Sequence, residues 1–123
     1  MINASCLCGG VKYQVKPPAT KISLCHCRMC QKFSGSAFGS FMRVPANQYK
    51  LIKGANLETV FESSDFASRV FKAAPDQVFI AAGLLDDDPH IQPKNHIFVK
   101  NKADWYSIED SLPQFDDYKS SAE

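Results

Sequence analysis

Three cysteines lie close together in the segment Cys25-His26-Cys27-Arg28-Met29-Cys30. Two cysteines separated by two residues, as Cys27 and Cys30 are, can turn both sulfurs toward one metal ion. Cys25 lies two positions before Cys27, and on an extended segment such side chains point the same way. Because zinc prefers a tetrahedron of thiolate and imidazole ligands, this spacing predicts one Zn²⁺ ion held by three thiolates. Its fourth position would stay open, which is typical of a catalytic zinc.

The charge of such a centre limits its chemistry. Zinc with three thiolates has a formal charge of −1, so it polarises a bound oxygen less than a zinc held by neutral histidines does. Because coordination deprotonates a thiol, the centre is better suited to holding and activating a thiol substrate than to making hydroxide.

A second cysteine pair, Cys6-Leu7-Cys8, comes earlier and is followed by Gly9-Gly10. The total of five cysteines is odd, and their close spacing makes a poor disulfide framework, so metal binding is favoured. Cys6 and Cys8 could supply half of a four-cysteine structural site. The alternatives are buried apolar cysteines, a redox pair at Cys27 and Cys30, and iron–sulfur ligation.

Composition predicts an ordinary cytoplasmic domain. The 123 residues are treated as a single domain, 1–123, with a polar tail from about Asp116. A formal net charge of +1 gives no reason to expect a nucleic-acid partner. The sequence has neither an apolar run long enough to cross a membrane nor the pattern of a signal peptide at its start, so no membrane partner is expected.

Alternation of apolar and polar residues predicts a mainly β domain with one or two short helices. A short helix is expected between Cys27 and Phe33, and a helical turn at Pro89-His90-Ile91. The predicted strands are Val11–Val15, Lys21–Leu24, Ala37–Val44, Tyr49–Lys53, Leu57–Glu62, Arg69–Phe71, Gln77–Ala82 and Asn95–Val99.

Several motifs in order add to the cysteine pattern. They are Cys6 to Tyr13, Cys25 to Lys32, Ser34 to Phe38, Ala82 to Asp86, Pro93 with His96 to Phe98, Trp105, and Leu112-Pro113. In these motifs the chain resembles the glutathione-dependent formaldehyde-activating enzyme (GFA) family over nearly its whole length. The resemblance implies a mainly β, Mss4-like (β-tent) zinc-binding fold.

The resemblance also implies two zinc ions and an activity. The presumed catalytic zinc is held by Cys25, Cys27 and Cys30, and a structural zinc by Cys6, Cys8 and a later C-x-x-C-G motif. The family's founding activity joins formaldehyde to glutathione as S-hydroxymethylglutathione and is classed as a carbon–sulfur lyase. A small thiol such as glutathione is therefore the expected substrate.

This sequence departs from the family pattern at one place. The C-x-x-C-G motif should follow Ser68–Phe71, but the chain continues directly into Lys72–Gln77, and no cysteine follows Cys30. A true loss of the segment, a shortened chain, or residues omitted from the sequence would each explain the gap. It predicts a half-coordinated Cys6 and Cys8. Strand edges left by a shortened hairpin favour pairing with a second chain, so a homodimer is expected.

Two functions from different classes therefore follow. The first is a zinc-dependent carbon–sulfur lyase that acts on the adduct of a thiol with formaldehyde or another small carbonyl. The alternative is a non-catalytic zinc-binding module of the Mss4-like fold, since a fold does not settle a function. Four protein ligands around one ion, with Cys6 or Cys8 recruited to the cluster, would indicate the module.

Other polar residues have both ordinary and functional interpretations. His26 is predicted to point away from the metal, in a supporting or surface role rather than as a ligand. His96 is interpreted as a core histidine with satisfied hydrogen bonds, or as a residue near the pocket. The acidic run Asp86-Asp87-Asp88 is expected to be a solvated turn. Phe38, Phe41 and Trp105 are expected in the core, or as residues that line the pocket wall beside the zinc.

Overall fold

The computed structural model describes residues 1–19, 21–54, 70–74 and 76–117, and for 70–74 the backbone only. Within these ranges the chain forms two β-sheets and one α-helix, which confirms the predicted mainly β class. No helix in this part of the chain has the length and apolar character needed to cross a bilayer.

The smaller sheet has three antiparallel strands in the order β1-β2-β5. They are β1 (Ile2–Ser5), β2 (Lys12–Val15) and β5 (Tyr49–Lys53). The larger sheet has five strands in the order β6-β7-β4-β3-β8. They are β3 (Lys21–Cys25), β4 (Gly39–Pro45), β6 (Val70–Ala74), β7 (Gln77–Ala81) and β8 (Pro93–Ile97).

The α-helix, α1 (Arg28–Ser34), connects β3 to β4. Short 3-10 turns lie at Ala46–Gln48, Ala82–Leu84 and Val99–Asn101. β8 lies parallel to β3, whereas the other strand pairs of the larger sheet are antiparallel.

The main core contains side chains from both sheets. Alternation along β4 turns Met42 and Val44 to one face, where both are fully buried with Ile80 of β7 and Val15 of β2. Burying a side chain of this size stabilises the fold by about 1.5–3 kcal/mol. The alternation that predicted these strands thus also determines which face of the larger sheet meets the smaller one.

The opposite face of the larger sheet carries a second, smaller apolar cluster. It contains Phe41 of β4, Phe79 of β7 and Ile97 of β8, together with Cys25 and Cys30. Cys25 belongs to this face because it alternates with Leu24, which packs into the main core. The sulfur-bearing residues therefore sit on a packed sheet face.

A C-terminal segment covers the outer edge of β8. The backbone N–H of His96 donates to the carbonyl of Pro113 at 2.9 Å, and the N–H of Phe115 donates to the carbonyl of His96 at 2.9 Å. Covering an edge strand blocks pairing with another chain at that edge. The segment also carries Asp110 toward the buried end of β8.

The structure adds one strand that was not predicted and contradicts two sequence-based expectations, and a third expectation falls on residues outside the described ranges. The strand Ile2–Ser5 was not predicted. The helical turn expected at Pro89-His90-Ile91 is wrong, since Asp88 instead caps a non-helical turn through the N–H of His90 at 2.7 Å. Trp105, expected in the core, is 73% exposed. The strand expected at Leu57–Glu62 lies outside the described residues.

Gly54 provides a test of the close approach between the end of β5 and the segment that leads into β2. It has a φ of 94°, and a β-carbon there would overlap the carbonyl oxygen of Gly10 and lie 2.9 Å from the Cα of Val11. We expect Gly54→Ala to lower the free energy of unfolding by about 2 to 4 kcal/mol, measured by urea denaturation.

The control for this substitution is Gly83→Ala. A β-carbon at Gly83 meets nothing within 4 Å, so its free energy of unfolding should stay within about 0.5 kcal/mol of the wild-type value. Equal effects of the two substitutions would contradict the close approach at Gly54.

Candidate metal centre

The structure brings together the three cysteines that sequence spacing singled out. The sulfur atoms of Cys25, Cys27 and Cys30 all lie within 4.8 Å of one another. Zinc–sulfur bonds of about 2.3 Å in a tetrahedron place the sulfurs about 3.8 Å apart, so the observed group fits such an ion. Cys25 and Cys30 are buried and Cys27 is half-buried. The cluster can therefore hold a metal ion.

Local structure explains how the three sulfurs meet. Cys25 is the last residue of β3, which lies between β4 and β8. Cys27 is the N-cap of α1, and its sulfur accepts a hydrogen bond from the N–H of Cys30 at 3.3 Å. This cap turns the chain from strand to helix within two residues and places Cys30 in the first turn.

Gly39 gives the cluster room on the sheet side. It pairs with Cys25 across β3 and β4. A β-carbon at this position would lie 3.3 Å from the β-carbon of Cys30 and 2.8 Å from Cε2 of Phe41. A side chain larger than hydrogen would therefore push against the helix that carries Cys30.

The three thiols influence one another's ionisation. Hydrogen bonds from Cys25 and Cys30 lower the pKa of Cys27 to about 2. The hydrogen bond to Cys27 raises the pKa of Cys25 to about 12, with burial adding to the effect. Hydrogen bonds to Cys25 and Cys27, with burial, also raise the pKa of Cys30. A divalent ion bound among the three sulfurs would favour the thiolate form of each cysteine.

A cavity of about 620 Å³ lies next to Gly39 and Phe41, and none of the three cysteines is among its lining residues. It shares Gly39 and Phe41 with the surroundings of Cys25 and Cys30. Its lining residues are Ser5, Cys6, Leu7, Phe33, Ser34, Phe38, Gly39, Ser40, Phe41, Ala81, Gly83, Leu84 and Asp86. A lining that mixes aromatic side chains with hydroxyls and one carboxylate can take a small molecule, and the volume suits a ligand of peptide size.

His26 has a supporting position beside the cysteines. It is fully buried, and its Nε2 lies 2.8 Å from Nδ1 of His96, which excludes the surface role and gives Nε2 a partner other than a metal. His96 is also fully buried, and its Nε2 lies 3.0 Å from Oδ2 of Asp110, so both of its ring nitrogens are paired as predicted. Burial and the neighbouring His96 lower the pKa of His26 to about 4.

Cys6 and Cys8 lie in the turn between β1 and β2. The N–H of Gly10 donates to the sulfur of Cys8 at 3.3 Å, and this bond is the main cause of the lowered pKa of Cys8. Cys6 lines the cavity and Cys8 is exposed. Among the described residues neither belongs to a group of three potential ligands, so their metal binding stays a prediction.

The other singled-out residues have structural roles. Gly35, with a φ of 68°, ends α1, close to the end of the helix predicted between Cys27 and Phe33. Arg28 donates to the side chain of Gln31. In the acidic run, Asp86 accepts from the hydroxyl of Ser5 and Asp87 from the backbone N–H of Asn3, each at 2.7 Å. The run is thus a hydrogen-bonded turn.

Sequence reasoning missed Asp110 and Gln31. Asp110 lies in a polar stretch and belongs to no recognisable motif. Only the fold places it beside His96. Gln31 donates through Nε2 to the carbonyls of His26 at 2.8 Å and Asn101 at 2.9 Å. Gln31 lies four residues after Cys27 in a predicted helix, and residues with this spacing share a helix face. This spacing was the one feature of the sequence that pointed to Gln31.

Comparison with known proteins agrees with this arrangement. A protein of Halomonas elongata, provisionally named as a glutathione-dependent formaldehyde-activating enzyme, is 24% identical over 128 residues, covering 89% of this chain and 82% of that protein. The family model described as "Glutathione-dependent formaldehyde-activating enzyme" matches residues 1–101. Its match spans most of the chain, including all five cysteines. The chain therefore belongs to the glutathione-dependent formaldehyde-activating enzyme family.

Proposed function

We propose that this protein is a zinc-dependent carbon–sulfur lyase acting on the adduct of a small thiol with formaldehyde or another small carbonyl compound. The three-sulfur cluster beside a cavity of about 620 Å³ carries the proposal. Family membership supports glutathione as the thiol and formaldehyde as the carbonyl compound.

The donor set supports zinc as the metal. Soft thiolates select zinc among the common divalent ions, whereas calcium and magnesium prefer oxygen ligands. Cys25, Cys27 and Cys30 would be the ligands, which leaves the fourth position for a substrate thiol. Zinc bound there would keep that thiol in its thiolate form at neutral pH.

The reaction requires a thiolate near a carbonyl carbon. In the forward direction a carbon–sulfur bond forms, and the carbonyl oxygen takes up the proton that the thiol has lost. In the reverse direction the hydroxyl of the adduct loses its proton and the carbon–sulfur bond breaks. Protons therefore balance without an added acid or base, and no oxidant or reductant is needed.

The cavity residues suggest how the substrate is held. Phe38 and Phe41 provide apolar surface in the cavity against which a small carbonyl compound would pack. The hydroxyl of Ser40 and the carboxylate of Asp86 provide polar contacts for a peptide-like thiol. Because these groups come from β4 and from the turn that precedes β8, the cavity spans two parts of the fold.

The geometry favours the enzyme over the non-catalytic module. A closed site needs a fourth protein ligand, and the predicted candidates were Cys6 and Cys8. The cluster found among residues 1–19, 21–54, 70–74 and 76–117 contains three potential ligands and neither of those two. Three ligands support an open position, which a structural zinc does not have.

Zinc titration of the metal-free protein tests the centre. Because the raised pKa values of Cys25 and Cys30 keep both thiols protonated, binding at pH 7 should release about two protons. Calorimetry in buffers of different ionisation enthalpy measures this number. Cys27→Ser should weaken binding roughly 100-fold while keeping a good helix cap, since serine caps helices well.

The matched control is Met29→Ala. Met29 lies between Cys27 and Cys30 in the sequence and is 49% exposed. Its replacement should therefore leave zinc affinity within about twofold of wild type. Wild-type affinity in Cys27→Ser would contradict the proposed ligand set.

Exchange between glutathione, formaldehyde and their adduct tests the activity. Zinc-loaded wild-type protein should accelerate formation and breakdown of the adduct equally, because a catalyst does not change the equilibrium. NMR exchange spectroscopy at equilibrium measures both rates. Removal of zinc by a chelator, or Cys27→Ser, should return the rates to the uncatalysed background, whereas Met29→Ala should stay active. Unchanged rates with the zinc-loaded protein would contradict the proposal.

A further inference from the structure

A chain of three side chains connects the protein surface to the residue between two of the candidate ligands. Asp110, whose side chain is 46% exposed, contacts Nε2 of His96 through both carboxylate oxygens, at 3.0 and 3.1 Å. Nδ1 of His96 lies 2.8 Å from Nε2 of His26. Both rings are fully buried, and His26 stands between Cys25 and Cys27 in the sequence.

These contacts determine where the protons lie. A carboxylate only accepts hydrogen bonds, so Nε2 of His96 is protonated and donates a hydrogen bond to Asp110. In a neutral His96 ring, Nδ1 is then an acceptor, and it accepts a hydrogen bond from the Nε2–H of His26. The remaining nitrogen, Nδ1 of His26, is unprotonated, buried and without a hydrogen-bond partner among the described residues.

The backbone of His26 is held as firmly as its ring. Its N–H donates to the carbonyl of Ile97 at 2.9 Å, and its carbonyl accepts from Nε2 of Gln31 at 2.8 Å. With the bond to His96, three directed interactions fix this one residue. Because Cys25 and Cys27 flank it directly, the orientation of His26 affects the direction of both flanking residues.

We propose that Asp110 and His96 are positioning residues for the metal centre, which act by fixing His26 in one tautomer between Cys25 and Cys27. Asp110 orients His96, and His96 orients His26. The reversed arrangement would place a proton on Nδ1 of His26, where a buried N–H has no acceptor among the described residues. It would also turn an unprotonated Nε2 of His96 toward the carboxylate of Asp110, so that two acceptors face each other, which disfavours that arrangement.

Asp110 lies outside the part of the chain that the family model matches. That match ends at residue 101, whereas Asp110 belongs to the C-terminal segment that covers β8. Its carboxylate also accepts from the N–H of Leu112 at 3.0 Å, which fixes the turn that presents it to His96. The C-terminal segment thus contributes a residue that positions the centre without touching the metal.

The effect on metal binding rests on the zinc site proposed above, but the effect on the tautomer does not. Nitrogen-15 NMR of the histidine rings reports, with or without metal, which nitrogen is protonated. Zinc affinity, measured by competition with a chromophoric chelator, reports the consequence for the centre. Failure of zinc to bind the wild type would count against the proposed function, and an unchanged tautomer would count against the positioning role.

The test variant is Asp110→Asn. Its amide oxygen still accepts from the N–H of Leu112, so the turn is kept, but its NH₂ group can donate to Nε2 of His96 and reverse the chain. The same change in a catalytic triad leaves the geometry intact and supports the wrong tautomer. We expect the ring proton of His26 to move from Nε2 to Nδ1 in a measurable fraction of molecules. Zinc affinity should fall about tenfold.

Two further variants make the result specific. Asp88→Asn removes the same charge from a similar exposed turn, where Asp88 accepts from the N–H of His90 at 2.7 Å. It should leave His26 and zinc affinity unchanged. Asp110→Glu keeps a carboxylate and should retain the wild-type tautomer, with zinc affinity within about twofold.

Three outcomes would overturn the proposal. The first is a wild-type His26 signal in Asp110→Asn. The second is a changed tautomer with unchanged zinc affinity. The third is an equal loss of affinity in Asp88→Asn, which would indicate a general charge effect. Urea midpoints of all variants show whether a loss of affinity reflects unfolding.

Discussion

The close spacing of three sulfurs is the constraint on which the rest of this site depends. Cys25, Cys27 and Cys30 lie within 4.8 Å of one another, and hydrogen bonds among them, together with burial, raise the pKa values of Cys25 and Cys30. The surrounding fold keeps the three sulfurs together. β3 is fixed between two strands, α1 begins immediately at Cys27, and Gly39 leaves space for Cys30. Each of these features would be unnecessary if the cysteines were only small buried residues.

The sequence predicted what depends on neighbours in the chain. The spacing of the three cysteines is local, and so is the alternation that identifies Met42 and Val44 as core residues of β4. The contacts of His26 with His96 and of His96 with Asp110 could not be predicted from the sequence, since the first joins residues 70 positions apart. Trp105 was misassigned because hydrophobicity alone does not show whether the fold provides a partner surface.

The turn at Cys6 and Cys8 has hydrogen bonds of its own. The N–H of Gly10 donates to the sulfur of Cys8, and no cysteine follows Cys30 in the sequence. Cys6 meanwhile lines the cavity beside the three-sulfur cluster. Its backbone is closed by a hydrogen bond from the N–H of Cys6 to the carbonyl of Val11 at 3.0 Å. Hydrogen bonds between β1 and β2 and within the turn hold this segment in place.

The parallel pairing of β3 with β8 has a consequence for the order in which the protein assembles. The three cysteines span only six positions, so closing a small loop brings them together early. The pairing of β8 with β3 instead closes a loop of about seventy residues. Contacts of long sequence separation form slowly. During synthesis the N-terminal part emerges first, so the cysteines can capture an ion before His96 and Asp110 exist. His96 and Asp110 would then pack against His26 after the three cysteines had already come together.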